Sequence, residues 1–280
     1  MPNKEEIVIG FSNLDEESTY AVAVRESLEA ACQQHANIRL ICRDNAWDDK
    51  CALENARYFV EQAVDIAIIY HINERLGPQI WSILMPIPII CIDIPIPFTT
   101  YVGIDNKKMG QQLGELLQDW VNQNWQDSKA LVIGLVDSRV PFAHPRVVDA
   151  LNTIEQSGLN SVSSICVDMR YSHEENMRII SDLVQLRSDQ DRNILFVAYN
   201  DSCMNYALET IKTQKIVGAI ACQGLSPNMV DLVQDPQHPL IMGTISYPEQ
   251  YGEMLVTAVL NQVQKKRLTT NYYVPLTIIS

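Results

Sequence analysis

The sequence has no C-x-x-C pair, no H-E-x-x-H, no phosphate-binding G-x-x-x-x-G-K and no G-x-G-x-x-G. Metal, nucleotide and dinucleotide chemistry therefore have no carrier motif, and the chain is expected to work without a cofactor or a metal. No apolar run approaches the roughly twenty residues of a membrane helix. Basic charge is scarce: 21 Lys and Arg against 34 Asp and Glu leave a formal net charge of −13. That balance argues against a nucleic-acid-binding face. A secretory leader is missing too, because MPNKEEIVIGF enters an apolar strand pattern at once. Two localisations stay open: periplasmic or extracellular if a leader has been removed, cytoplasmic if Met1 is the native start. The seven cysteines, Cys32, Cys42, Cys51, Cys91, Cys166, Cys203 and Cys222, are odd in number and several fall in apolar patterns. They indicate neither a disulfide framework nor a zinc site, and free thiols lean toward a reducing compartment.

What is present is an alternation. Apolar strand patterns run at Ile7–Phe11, Ile38–Cys42, Ile66–Tyr70, Ile87–Ile92, Leu131–Val136, Val162–Val167, Ile194–Ala198, Ile216–Ala221 and Ile241–Ile245. Between them lie helical patterns at Tyr20–Gln34, Lys50–Val64, Met109–Asn122, Arg146–Ser157, Glu174–Leu186, Cys203–Lys212 and Glu249–Gln264. In the first, Tyr20, Val24, Leu28 and Ala31 repeat at helical spacing while Arg25, Glu26 and Glu29 turn away. Val/Ile/Leu strands separated by amphipathic helices predict an α/β fold with parallel sheets covered on both faces. About nine strands exceed what one six-stranded doubly wound domain uses.

One stretch breaks the rhythm. The strand pattern in IPIICID runs into Pro95 and Pro97, a short strand follows at Tyr101–Ile104, and the next helix begins only near Lys107. A β-α repeat would normally connect within a few residues. Asp105-Asn106 is therefore read as a crossing between two lobes, with Asn106 as helix N-cap.

Several blocks then resemble one family: IVIGFSN with its helix, VDIAIIY, IPIICID, YVGIDNKKMGQQLGE, NILFVAYNDSCMNYALETI, GAIACQGLSP and GTISYPEQYGEMLV. Their order and spacing resemble the type I periplasmic binding proteins, which include ribose-binding proteins and the effector domains of lactose-repressor-type regulators. The resemblance implies two Rossmann-like three-layer lobes joined by a three-segment hinge, with ligand held in the cleft between them. It implies an N-terminal lobe of residues 1–106 plus 247–271 and a C-terminal lobe of residues 107–246 plus 272–280. The crossings would fall at Asp105-Asn106, around Ser246, and near Asn271–Tyr273, and NYYVPLTIIS would return as a terminal strand.

In open α/β sheets, ligands bind beyond the carboxyl ends of the strands. The residues there are Ser12, Asn13 and Tyr20 after the first strand, Tyr70 and His71 after the third, and Asp93 after the fourth. In the second half they are Ser138, His144, Asn200, Asp201, Gln223, Ser246 and Tyr247. Such carboxylates, amides and rings suit a polyhydroxylated ligand. The resemblance assigns sugar contacts to Asp93 and Asn200 and stacking to Tyr20. It also marks departures: Ile94 stands where ribose binders carry arginine, His144 or Arg146 occupies the region of a second arginine, and Gln223 replaces an aspartate. Each residue also has a structural reading. Asn200-Asp201 can cap a helix, Asp93 can fix a turn, His144 can open a helix and Tyr20 can belong to the core.

The expected function is non-catalytic binding of a small polar, sugar-like molecule with lobe closure, as a solute-binding protein of a sugar transport system. The alternative is the ligand-sensing domain of a lactose-repressor-type regulator. Direct DNA binding by this chain is not expected, since only MPNKEE precedes Ile7 where a helix-turn-helix takes roughly fifty to sixty residues. The partners would be a sugar or polyol and either a membrane permease or a regulatory partner, with the chain a monomer or homodimer. A remote alternative is an α/β hydrolase using Ser12, Asp93 and His144, whose order matches that fold. GFSNL, however, lacks the nucleophile elbow's second glycine.

Overall fold

The computed structural model describes residues 6–71, 73–125, 129–156, 162–188, 193–263 and 271–280. The chain opens with β1 (Ile7–Asn13), α1 (Thr19–Gln33), β2 (Ile38–Asp44), α2 (Asp49–Glu61), β3 (Ile66–Tyr70), α3 (Gly77–Leu84), β4 (Ile89–Ile92) and β5 (Thr100–Gly103). It continues with α4 (Asn106–Asn124), β6 (Ala130–Val136), α5 (His144–Gln156), β7 (Val162–Asp168), α6 (His173–Ser188) and β8 (Asn193–Ala198). Then come α7 (Asp201–Gln214), β9 (Gly218–Gln223), α8 (Val230–Val233), β10 (Leu240–Ser246), α9 (Tyr251–Val263), β11 (Asn271–Tyr273) and β12 (Leu276–Ile279).

These elements form two units. The first holds the described residues up to Ile104 together with Tyr247–Pro275, and the second holds Asp105–Ser246 with Leu276–Ser280. Each has a six-stranded sheet among the described residues, ordered β11-β5-β4-β3-β1-β2 in the first and β12-β10-β9-β8-β6-β7 in the second. The two orders are the same apart from their last strand's direction. In the first sheet β11 joins β5 in parallel, whereas in the second β12 joins β10 antiparallel. The doubly wound parallel architecture read from the sequence is the observed fold.

Alternation along the buried strands supplies both faces of each sheet. From β1, Ile9 and Phe11 pack with Val24 and Leu28 of α1 and Leu255 and Val259 of α9. Val8 of β1 and Ile69 of β3 face the other way, against Phe59 of α2 and Ile80 and Leu84 of α3. In the second unit Ile133 and Leu135 meet Ile180 of α6 and Met204 of α7, and Val132 meets Leu113 of α4 and Val147 of α5. Each such side chain contributes about 1.5–3 kcal/mol on full burial. Both faces of each sheet are thereby covered.

The short Tyr101–Ile104 strand does add to the first sheet, since Cys91 pairs with Tyr101 across β4 and β5. Three local expectations are corrected. Asp105, not Asn106, caps α4: its carboxylate accepts from the Lys108 N–H at 3.0 Å, and Asn106 is already helical. Asn271–Tyr273 does not lie at the last crossing but pairs with Tyr101–Gly103 in the first sheet, and the chain crosses after Pro275. NYYVPLTIIS is consequently two strands in two sheets. Finally, α3 adds a helix where no helical pattern is given above, with Pro78 in its first turn. Proline is tolerated in a helix's first turn, where no N–H partner is needed.

Candidate functional site

In the first sheet β1 lies between β2 and β3, so the strand order reverses beside it, and the carboxyl ends there are where such sheets take ligands. Ser12 and Asn13 end β1, and both are buried. Ser12 donates its hydroxyl to Asn45 Oδ1 at 2.5 Å. Asn45, just beyond β2, also accepts from Asn55 Nδ2 at 2.9 Å and donates to the Tyr70 carbonyl at 2.8 Å. It thereby ties the ends of β1, β2 and β3 together. Asn13 Nδ2 donates to the Asp15 carbonyl at 2.7 Å and to Glu16 Oε1 at 2.9 Å, while its Oδ1 is buried without a partner. Asp15 is similar. Its Oδ1 accepts from the N–H of Glu17 at 2.7 Å and from that of Ser18, and Oδ2 is buried and unpartnered. Among the described residues these are two buried acceptors without a partner beside the strand-order reversal, where buried polar atoms are nearly always hydrogen-bonded.

Asp93 does something else. Its backbone is left-handed, with φ 55°, and Oδ1 accepts from the Tyr251 hydroxyl at 2.7 Å and the Ile104 N–H at 3.3 Å. Its own N–H donates to the Val102 carbonyl at 3.1 Å. Asp93 therefore fastens β4 to β5 and to α9. Burial drives the phenol pKa of Tyr251 well above its usual value, with the Asp93 charge adding to the rise. Tyr20 meets Tyr251 edge-on, with ring centroids 6.3 Å apart and hydroxyls 3.4 Å apart. Tyr70 packs into the α1/α9 core. Tyr247, half-buried, follows the crossing into this unit and precedes the short turn Pro248–Gln250.

In the second unit the corresponding ends are those of β6, β8, β9 and β10. Buried Asp137 receives Arg139, whose Nη2 and Nε lie 2.5 and 2.9 Å from its oxygens. Burial raises the carboxyl pKa, but the Arg139 side-chain and backbone bonds outweigh that and hold it below its usual value. His144 Nε2 lies 2.9 Å from the Asp137 carbonyl, at the start of α5. The Ser138 N–H donates to Asp168 at 3.0 Å. Asn200 caps α7, its Oδ1 accepting from the Cys203 N–H at 2.9 Å, and Asp201 accepts from Ser226 at 2.5 Å. Gln223 is fully buried; its Nε2 donates to the Arg146 carbonyl and its Oε1 has no partner. Arg146 donates from Nε to Asn106 Oδ1 at 2.7 Å and from Nη1 to the Tyr199 carbonyl at 3.4 Å. Asn106 in turn donates to the Phe142 carbonyl at 3.0 Å. Ser246 ends β10, buried.

The structure corrects the hydrolase alternative. Ser12 is bonded to Asn45, Asp93 to Tyr251 and His144 to the Asp137 carbonyl, none of which is a triad partner. Among the described residues no group of three His, Cys, Asp or Glu side chains is placed to hold a metal. Sequence reasoning missed Asn45, Asp15 and Tyr251 and gave Arg146 only as a second choice. Applying the strand-end rule to β2 would have found Asn45. Nothing local marks Tyr251, which reaches Asp93 from 158 positions away.

The sequence matches the family described as periplasmic binding protein domain over residues 9–267. A search of curated proteins returned no match. Among solved structures the chain is similar to a periplasmic ribose ABC transporter protein from Conexibacter woesei, with TM-score 0.82 at 12% identity over 98% of this chain and 92% of that one. An ABC sugar transporter subunit from Rhodobacter sphaeroides gives 0.80 at 16% identity over 99% of each chain. A solute-binding protein from Agrobacterium vitis with bound allitol gives 0.77 at 16% identity over 99% and 96%.

Proposed function

The chain belongs to the type I periplasmic binding protein family, and on that premise we propose that it binds a small hydroxyl-rich molecule, a sugar or polyol, without transforming it. The observation that carries the reading is the set of buried, unpartnered oxygens at strand carboxyl ends: Asn13 Oδ1 and Asp15 Oδ2 in the first unit, Gln223 Oε1 in the second. All are acceptors, so the matching ligand brings donors, and hydroxyls supply them. Asn13, Asp15 and Gln223 are the proposed direct contacts, and Tyr20, Tyr70 and Tyr247 the rings that cover apolar ligand faces. Ser12, Asp93, His144 and Asn200 shape the site through the bonds they already make.

The proposed mechanism is a population shift, in which a ligand engaging both units at once favours the ligand-clasping arrangement. Asp105, Asn106 and Ser246, beside the crossings, would absorb the backbone change. The proposed role is delivery of the ligand to a membrane permease, a reading supported by the transport proteins it resembles. The seven cysteines, all free, favour a second reading, a sensor domain working in a reducing compartment.

The test is thermal denaturation against D-ribose, D-allose, D-fructose, D-galactose and allitol, since a ligand of the folded state raises the melting temperature. At least one should do so, and Asn13→Ala should weaken its calorimetric affinity by about tenfold or more, one lost charge-free hydrogen bond to a buried group. No shift with any of the five would sink the sugar reading.

A further inference from the structure

His71 stands immediately beyond β3, one strand from the reversal at β1, and is only 2% exposed. Among the described residues neither ring nitrogen meets a partner at full hydrogen-bond geometry, the Asn73 backbone making only a looser bond. The backbone beneath it is fixed, because the Tyr70 carbonyl is held by Asn45, itself held by Ser12 and Asn55. Ala67 and Ile69, four and two residues back on the same face of β3, pack into the α2/α3 core. Alternation thus puts His71 at the carboxyl-end rim of that core, where a phenylalanine or leucine would serve if packing were the whole task.

Burial pushes the imidazole pKa down to about 4, against the opposing pull of the Asp49 charge and of a hydrogen bond with the Asn73 backbone. Near neutral pH the ring is uncharged, so one nitrogen is a donor and the other an acceptor, whichever tautomer is present. Among the buried, unpartnered side-chain atoms of the described residues, those of His71 are the nitrogens; every other one is an oxygen.

We propose that His71 is a ligand-contacting, specificity-setting residue, donating from one ring nitrogen to a ligand hydroxyl and accepting from a second hydroxyl at the other. This rests on the hydroxyl-rich ligand proposed above. An adjacent pair of hydroxyls fits because each can donate or accept. A carboxylate or phosphate in their place can only accept, and would leave one ring nitrogen unpaired.

The test takes the tightest binder among D-ribose, D-allose, D-fructose, D-galactose and allitol, and measures calorimetric affinity for the wild type, His71→Phe and His71→Asn. His71→Phe should lose about 10- to 100-fold in affinity, keep or raise the melting temperature of the ligand-free protein, and be partly rescued in His71→Asn, which retains a donor and an acceptor. Single-deoxy analogues of the same ligand should identify the hydroxyl concerned: its removal weakens binding to the wild type and leaves His71→Phe unchanged. An affinity within twofold of wild type in both variants overturns the proposal while the sugar reading stands. If one variant fails to fold, the other decides. Binding of none of the five by the wild type overturns the sugar reading and this assignment with it.

Discussion

Asp93 shows how a side chain that looks free in the sequence can be committed elsewhere. Its left-handed backbone and its bonds to Tyr251 and Ile104 make it a brace of the first unit. Asp93→Ala forces alanine into positive φ and leaves the buried Tyr251 hydroxyl only its longer contact with Tyr20. A loss of about 2–4 kcal/mol is expected in urea unfolding, whereas Asp93→Asn, which keeps an acceptor and tolerates that φ, should lose less than half as much. His71 gives a pH signature. Its folded pKa of about 4 lies below the ordinary 6.5, so the unfolded state holds more protons between those values. The stability due to its burial is complete above pH 6.5 and is lost as pH falls toward 4. Between pH 7 and 5 it should decline by about 2 kcal/mol, and His71→Phe should abolish that part of the urea-midpoint shift.

Among the elements, α4 and α5 lie close enough that glycine is required on α4 for space. A Cβ on Gly114 would stand 2.7 Å from Thr153 Cβ and 2.8 Å from the Ala150 carbonyl oxygen, both on α5. Gly114→Ala should therefore destabilise by about 1–3 kcal/mol or more despite its better helix propensity, with exposed Gln111→Ala near neutral as the control. Denaturant midpoints of the two variants check this. Strands and helices whose apolar pattern is self-sufficient are legible in the residues alone, as Ile66–Tyr70 and the stripe of α1 show. The cap at Asp105 and the proline-led α3 are not. Two adjacent residues can both cap a helix, and a short helix packed on a sheet owes its existence to burial of Ile80 and Leu84 more than to its sequence.

For the whole chain, the last residues close the second sheet while α9 and β11 complete the first. A chain ending at Pro275 loses β12 and leaves β10 as an open edge. Its calorimetric melt should split, with a low-temperature transition from the second unit and an unshifted one from the first. A single transition lowered as a whole would instead mean that the units unfold as one. Saturation with a bound sugar at about a hundred times Kd should add roughly 2.7 kcal/mol to the stability of the full-length chain.

The sequence by itself determined the parallel α/β class, the strands that carry the candidate site and the family's outline, because period-two and period-3.6 burial patterns are local and can be read along the chain. It also placed Asn13 and Gln223 at strand ends. The tertiary structure alone decided that Ser12 bonds Asn45 and Asp93 Oδ1 bonds Tyr251 and Ile104, that NYYVP and LTIIS part into different sheets, and that His71 is left buried at the end of β3. Hydrogen-bond partners far apart in the chain leave no periodic trace in it, and whether a polar atom is satisfied depends on every neighbour that packing brings to it.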